Sequence, residues 1–314
     1  MLNDAGQSPM PIPPQPVSRH VAVTGSSGLL GSALHARLTA AGQHVTRIVR
    51  SRPGAGDVLW DPTAPAFDSA KLTGVAAFVH LAGENIATRR WTPSVKRRIR
   101  DSRVLGTRML CELLARMPSP PKVLVTASAI GFYGNRGDTW LDEQSEPGDG
   151  FLAQVAGEWE AATQAALDAG MRVVCLRFGV VLTPRGGALA KLLLPFKLGL
   201  GGRVGSGRQW WSWISLDDAV GAICHALDVE SLSGPVNAVA PHPVTNAEFT
   251  RVLGRALHRP ASLPMPAVAA RLALGEMADQ LLLASTRVAP RRLMQTGYAF
   301  QHPTLEEALQ HCLT

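Results

Sequence analysis

The amino-acid sequence predicts an α/β protein: a doubly wound parallel sheet, with a small mixed α/β domain built from its C-terminal part. Three observations carry this. Short apolar runs alternate with longer, helix-period segments from His20 to Leu182. A glycine trio, Gly25, Gly28 and Gly31, stands between the first apolar run and the first amphipathic segment. The composition, 46% hydrophobic and 18% charged over 314 residues, suits one large α/β domain or one domain with a smaller companion.

Each element follows from its local pattern. "HVAVTG", from His20, is a short apolar run of the kind that forms a strand buried on both faces. "LLGSALHARLTAAG" reads as a helix that Gly42 ends. "HVTRIVRS" gives the second strand, and "SAKLTGVAAFVHLAG" a short helix and a third strand ending near Leu81. "TPSVKRRIRDSRVLGTRMLCELLARM" predicts a long helix, with Thr92 as N-cap and Pro93 in the first turn, and "PSPP" stops it. "KVLVTASA" is the next strand, "DGFLAQVAGEWEAATQAALDAG" one further helix, and "MRVVCLRFGVVL" one further strand. Strand, helix and strand in succession imply parallel pairing with right-handed crossovers. Beyond Leu182 the rhythm breaks into a helix, a glycine-rich connection, the tryptophan cluster "RQWWSWISLDD", another helix and a strand at "GPVNAVA". From Thr245 the pattern predicts a helix, a proline-rich turn, a helix, a short "GYAF" strand and a closing helix from Thr304.

The domain boundaries expected are a disordered tail over 1–19, a nucleotide-binding domain over 20–183 to which 216–240 returns, and a smaller domain from 184–215 and 241–314. The first 20 residues carry five prolines and no apolar core segment, which argues against a secretory signal. No apolar run reaches the roughly 18–20 residues of a membrane span. A cytoplasmic protein is therefore expected. Cys111, Cys175, Cys224 and Cys312 are widely spaced, form no Cys-x-x-Cys pair and read as reduced thiols, so no metal site is expected. The net charge of +7 points to a polyanionic partner or a phosphorylated ligand without choosing between them.

The glycines narrow that choice. A phosphate at a helix N-terminus is held by free backbone N–H groups and by the positive end of the helix dipole. Gly25 permits the tight turn, Gly28 lets a pyrophosphate approach, and Gly31 lets the helix pack on the strand. Strand, glycine loop and helix in that order make the sheet Rossmann-type and predict dinucleotide binding. An NAD site places an acid at the end of the second strand to meet the ribose hydroxyls. Here no acid lies between Gln43 and Arg52, and Arg50 and Arg52 stand there instead. A guanidinium pairs with the 2′-phosphate that a carboxylate would repel, so NADP(H) is expected, with Arg50 as its main contact.

"TGSSGLLG", "HLAG", "ASAIGFYG" and "LRFGVVL" together resemble the extended short-chain dehydrogenase/reductase superfamily. "LAGENIATRRWT", "IRDSRVLGTR", "FLAQVAGEWE", "GSGRQWWSWISLDD", "PVNAVAPHPVTNAEF" and "GYAFQHPTLEEAL" are more specifically similar to its atypical branch of epimerase-family proteins of the SDR39U1/YfcH type. The resemblance runs from about His20 to Leu313. It implies a Rossmann fold, a small C-terminal domain and an NADP-type cofactor, and no particular substrate. By position it implies that Gly25, Ser26, Ser27, Gly28, Leu29 and Leu30 form the phosphate loop and that Arg50 closes the second strand. It implies that Trp60 and Asp61 flank the adenine, that Leu81, Ala82 and Gly83 lie under the adenosine ribose, and that Thr126, Ala127 and Ser128 stand beside the nicotinamide. Phe178, Gly179 and Val180 match the loop that closes over it.

Active members of the superfamily use a tyrosine with a lysine four residues later on one helix face; the lysine lowers the phenol pKa and holds the nicotinamide ribose. This chain has two tyrosines, Tyr133 and Tyr298, followed four residues on by Gly137 and His302. No lysine lies between Lys122 and Lys191, and the matching helix offers Phe151 and Val155. The dyad is absent, and Phe151, Val155 and Trp159 form an apolar helix face. Ser128, which in relatives polarises the substrate carbonyl, and Tyr133, acting from another direction, are the candidate catalytic groups; each is equally readable as a structural hydroxyl. Glu158 and Glu160 read as helix-surface acids, one of which could face the cleft.

Seven basic residues between Arg89 and Arg103 spread around a helix without a nucleic-acid-binding motif, which reads as a solvated face or a surface for an anion. Trp211 and Trp213 share one strand face, either as core or as a wall for a ring-bearing substrate. The partner expected is thus a small molecule, anionic or ring-bearing, and neither a membrane nor a nucleic acid. Function then divides between an NADP-dependent epimerase-like oxidoreductase and a non-catalytic NADP(H) sensor or scaffold.

Overall fold

The computed structural model describes residues 19–62 and 69–314. The tail expected over 1–19 lies outside the described residues except for Arg19. That residue donates its backbone N–H to Gln43 and its guanidinium to the Leu227 carbonyl.

The chain runs β1 (His20–Thr24), α1 (Leu29–Ala40), β2 (His44–Val49), β3 (Val58–Leu59), β4 (Ala77–His80), α2 (Pro93–Ala115), β5 (Val123–Ala129), β6 (Trp140–Leu141), α3 (Phe151–Ala161) and α4 (Gln164–Asp168). It continues through β7 (Arg172–Phe178), β8 (Val180–Leu182), α5 (Gly187–Lys197), β9 (Trp210–Trp211), β10 (Trp213–Ser215), α6 (Leu216–Asp228) and β11 (Gly234–Ala238). It ends with β12 (Val244–Thr245), α7 (Asn246–Ala256), α8 (Ala267–Leu274), α9 (Glu276–Leu281), β13 (Arg287–Val288), α10 (Arg291–Gln295) and α11 (Leu305–Leu313).

Seven parallel strands form the central sheet in the order β11-β7-β5-β4-β1-β2-β3. The chain winds outward from β1 through β2 and β3, then returns to β4 on the other side of β1. That reversal creates a crevice at the carboxyl ends of β1 and β4, where ligands of open α/β sheets bind. Side-chain alternation builds both layers. Val21, Val23, Ala77, Val79, Val123 and Val125 point into one core with Leu34 of α1 and Val220 and Ile223 of α6. Ala22, Phe78 and Leu124 point into the other, with Leu110 and Leu114 of α2. A third core lies outside the sheet and joins Leu189, Phe196, Trp211, Trp213, Phe249, Leu253, Leu305 and Leu309.

Three local expectations are corrected. The helix expected over 149–170 breaks into α3 and α4, because the Thr163 hydroxyl donates to the Glu160 carbonyl at 2.7 Å and the turn tightens. The strand expected over 171–182 divides at Gly179, where a Cβ would stand 2.6 Å from the Ser212 carbonyl oxygen; β8 leaves the sheet to pair with β10. "GYAF" is not a strand. Its alternating aromatics mimic one, but the backbone amides of Gln301 and His302 donate to the buried Asp218 carboxylate at 2.7 and 3.0 Å instead of to a neighbouring strand.

Candidate functional site

The crossover after β1 is shaped for close approach. Gly25 adopts φ +67°, and a Cβ on it would lie 2.7 Å from the Leu81 carbonyl carbon. A Cβ on Gly31 would stand 2.1 Å from the Gly25 oxygen, so α1 reaches the loop only because that residue is glycine. Gly28 is the N-cap of α1, donates to the Gly25 carbonyl at 2.9 Å and offers no side-chain cap. The first turn of α1 carries no acid. The amides of Leu29 and Leu30 and the positive end of the helix therefore face whatever approaches, with Ser26 buried and Ser27 exposed beside them.

At the next strand end, Arg50 and Arg52 are both exposed. The nearest acid beyond them, Asp57, is occupied: its carboxylate accepts from the Arg47 guanidinium at 2.9 and 2.8 Å and from the Gly54 amide at 2.8 Å. The Trp60 ring is 2% exposed, edge-on to His80 at 6.3 Å and packed in the α2-side core. Asp61 stays at the surface. Leu81 and Ala82 are half-buried and Gly83 sits beside the Arg103 guanidinium, 3.4 Å from where its Cβ would be. Arg103 donates to the Glu84 carbonyl at 3.0 Å, and burial lowers its pKa to about 10, which leaves it cationic at neutral pH.

The ends of β5 and β7 hold a closed polar network. Arg177, 3% exposed, sits on β7 and forks onto Glu160 of α3 at 2.8 and 2.7 Å. Ser128 donates its hydroxyl to the same carboxylate at 2.6 Å. Burial alone would lower the pKa of Arg177, but the hydrogen bond and charge of Glu160 outweigh it and raise the pKa. Arg177 also donates to the Tyr133 oxygen at 3.0 Å, and Tyr133 donates to Asn237 of β11 at 2.7 Å. Glu143 completes the set by accepting from the Asn237 amide at 3.1 Å.

Both catalytic candidates lie inside this network. Tyr133 is 0% exposed, and burial, opposed by Arg177, pushes its pKa up to about 12. The Ser128 hydroxyl donates to Glu160. Glu160 is likewise no surface acid, whereas Glu158 pairs with Arg100 at 2.6 Å. Thr126 and Phe178 are buried in the same strand ends and Ala127 is half-buried; the Phe178 ring belongs to the sheet core.

On α3 stand Phe151 and Val155, the residues that the resemblance sets at the dyad positions. Val155 and Trp159 are buried, while Phe151 is half-buried, edge-on to Trp91 at 5.2 Å. The Lys96 ammonium lies 4.7 Å from the Phe151 ring and pairs with Glu276 at 2.9 Å. Lys96, Gly150, Phe151 and Gln154 border a surface recess of about 690 Å³. Behind this face, His80 bonds Thr24 at 2.7 Å and Thr107 at 3.0 Å, and Trp159 donates to Thr107 at 2.9 Å. The basic cluster divides: Lys96, Arg100 and Arg103 tie α2 to α9, to α3 and to the strand-end loop, while Arg89, Arg90, Arg97 and Arg98 are exposed. Trp211 and Trp213 are core, and Trp210 and Trp140 hold Arg287 between them at 4.0 and 4.1 Å.

Sequence reading missed Arg177–Glu160 and Arg103. A signal existed for the first: an arginine inside "RVVCLRF", a strand covered on both faces, requires a buried carboxylate partner. Nothing local identified Glu160 as that partner. Among the described residues no helix is long and apolar enough to cross a membrane.

The profile of the NAD dependent epimerase/dehydratase family matches residues 21–238, and that of a domain of unknown function, DUF1731, matches residues 265–312. An epimerase family protein of Mycobacterium bovis is 49% identical over 295 residues, covering 94% of this chain and 97% of that relative. The crystal structure of human epimerase family protein SDR39U1 with NADPH superposes with a TM-score of 0.86 at 37% identity, covering 93% of this chain and 98% of that one. A structure described as the nucleoside-diphosphate sugar epimerase of Corynebacterium glutamicum superposes with a TM-score of 0.80 at 41% identity, covering 94% of this chain and 58% of that one.

Proposed function

This chain belongs to the NAD dependent epimerase/dehydratase family, among its SDR39U1-type epimerase family proteins, and from that premise we propose that it is an NADP(H)-binding, epimerase-like oxidoreductase of a small anionic substrate. One observation carries the reading: the loop at Gly25, Gly28 and Gly31 is a cradle that a single Cβ would fill, followed by an α1 N-terminus without a side-chain cap. The residues present fit a dinucleotide. The amides of Leu29 and Leu30 hold its pyrophosphate, Arg50 meets the 2′-phosphate, and Leu81 to Gly83 pass beneath the ribose. Human SDR39U1, described above, was crystallised with NADPH, which supports the phosphorylated form.

When bound, the nicotinamide supplies a hydride donor or acceptor. The chain contributes binding and charge instead of the usual phenol–ammonium relay. Phe151 borders the recess over the buried Val155, and Lys96, already paired with Glu276, stands at its edge beside Asp149. Calorimetry with NADPH and NADH tests the cofactor half: saturable NADPH binding that Gly28→Arg abolishes is expected, and absence of NADPH affinity in the wild type overturns it. NADPH oxidation across a panel of anionic carbonyl compounds tests the chemical half.

The buried Tyr133 and the absent dyad favour a second reading, a protein that binds NADP(H) without turnover and acts as a sensor or scaffold. Tight NADPH binding together with silence across the panel selects it.

A further inference from the structure

Three ligand-bearing side chains from separate segments converge at the start of α6. Asp217 stands in the first turn of α6, His302 in the connection before α11, and His311 in the last turn of α11. His311 Nε2 lies 2.9 Å from Asp217 Oδ2, and His302 Nε2 lies 3.9 Å from that oxygen. All three donor atoms fall within 4.8 Å of one another. We propose that these residues form a site for a divalent transition-metal ion of the zinc type, which ties α11 to α6.

The donor set selects the ion. Two imidazole nitrogens and one carboxylate oxygen suit zinc and its neighbours, whereas calcium and magnesium prefer oxygen alone. The spacing agrees. Ligand atoms about 2.0–2.1 Å from a tetrahedral zinc stand roughly 3.3 Å apart. The observed 2.9 Å, a hydrogen bond here, and 3.9 Å bracket that value, and rotation of the stacked imidazoles about their side-chain bonds would aim both ring nitrogens at a shared ion beside Asp217. His311 is exposed, which leaves the remaining coordination position to water.

The backbone under each donor is fixed independently. Asp218, next to Asp217, is 0% exposed and accepts from the Ser215 hydroxyl at 2.8 Å, the Gln301 amide at 2.7 Å and the His302 amide at 3.0 Å. That single carboxylate docks the His302 segment against the start of α6. A capping box between Thr304 and Glu307 starts α11 and so orients His311 two turns on. Ordering that is already complete lowers the cost of binding. The two imidazoles stack at 4.3 Å and 24°.

The site is independent of the cofactor proposal, and its test uses the untagged, full-length protein stripped with a chelator. Titration with ZnCl2 by calorimetry is expected to give one saturable site and a higher thermal midpoint. CoCl2 is expected to give the visible absorption of a low-symmetry nitrogen–oxygen site. His311→Ala, at an exposed position, is expected to lose zinc affinity by at least about tenfold, together with the thermal increment, while NADPH titrates as in the wild type. Asp217→Asn serves as a second variant. No saturable zinc binding in the wild type, or equal binding in the wild type and both variants, overturns the proposal.

Discussion

Two strand ends of one sheet are built in opposite ways. After β1, the loop from Gly25 to Gly31 offers main-chain amides, and its shape depends on side chains being absent. After β5, Ser128, Tyr133, Glu160, Arg177 and Asn237 spend their polar groups on one another. The first region is open and local; the second is closed and assembled from segments more than a hundred residues apart. The contrast teaches that the part of the fold that holds a dinucleotide can persist while the part that would handle protons becomes structural reinforcement.

The comparison is broken most forcefully at the ion pair. Arg177→Met leaves the Glu160 carboxylate partly buried without its cation, and a destabilisation of about 3–5 kcal/mol is expected from urea unfolding. NADPH affinity of the folded fraction should stay as it was. A variant that keeps its stability but loses NADPH would show that the two ends are one system.

A second test concerns His80, which lies between the regions on β4. Burial pushes its pKa down to about 4, against 6.5 when unfolded. Between those values the unfolded chain binds a proton that the folded chain refuses, so stability falls as pH drops from about 6.5 to about 4. The gap corresponds to at most about 3 kcal/mol. Urea midpoints across this range should lose that slope in His80→Gln; an unchanged slope would place the responsible groups elsewhere.

The open end is sharpened by Arg50→Ala. A charge-assisted contact to a 2′-phosphate predicts an NADPH affinity loss of about 1.5–3 kcal/mol, with NADH affinity unchanged, by calorimetry. Equal losses for both would assign Arg50 a general electrostatic role. The smallest effect is expected at Tyr133→Phe, which removes one hydroxyl from the network at a cost of about 1–2 kcal/mol. Any NADPH turnover should survive it, and its abolition in a stable variant would identify Tyr133 as an acid.

Much of the sheet was legible because its signals are local. "HVAVTG", "KVLVTASA" and "GPVNAVA" all became strands of the central sheet. Thr92 caps α2, accepting from the Val95 amide at 3.3 Å. "GYAF" misled because alternating aromatics describe a segment lying on any apolar surface, and here the anchor is Asp218, some eighty residues earlier.

The sequence by itself determined the strand–helix order and the glycine cradle, and it holds no tyrosine followed four residues later by a lysine. Periodicity, backbone freedom at glycine and the identity of a residue one helical turn away are properties of short segments. Tertiary structure alone decided that Ser128, Tyr133 and Glu160 serve Arg177, and that Asp217, His302 and His311 meet. Which polar groups satisfy one another depends on strand order and on which surfaces lose water, and neither is written in any single stretch of chain.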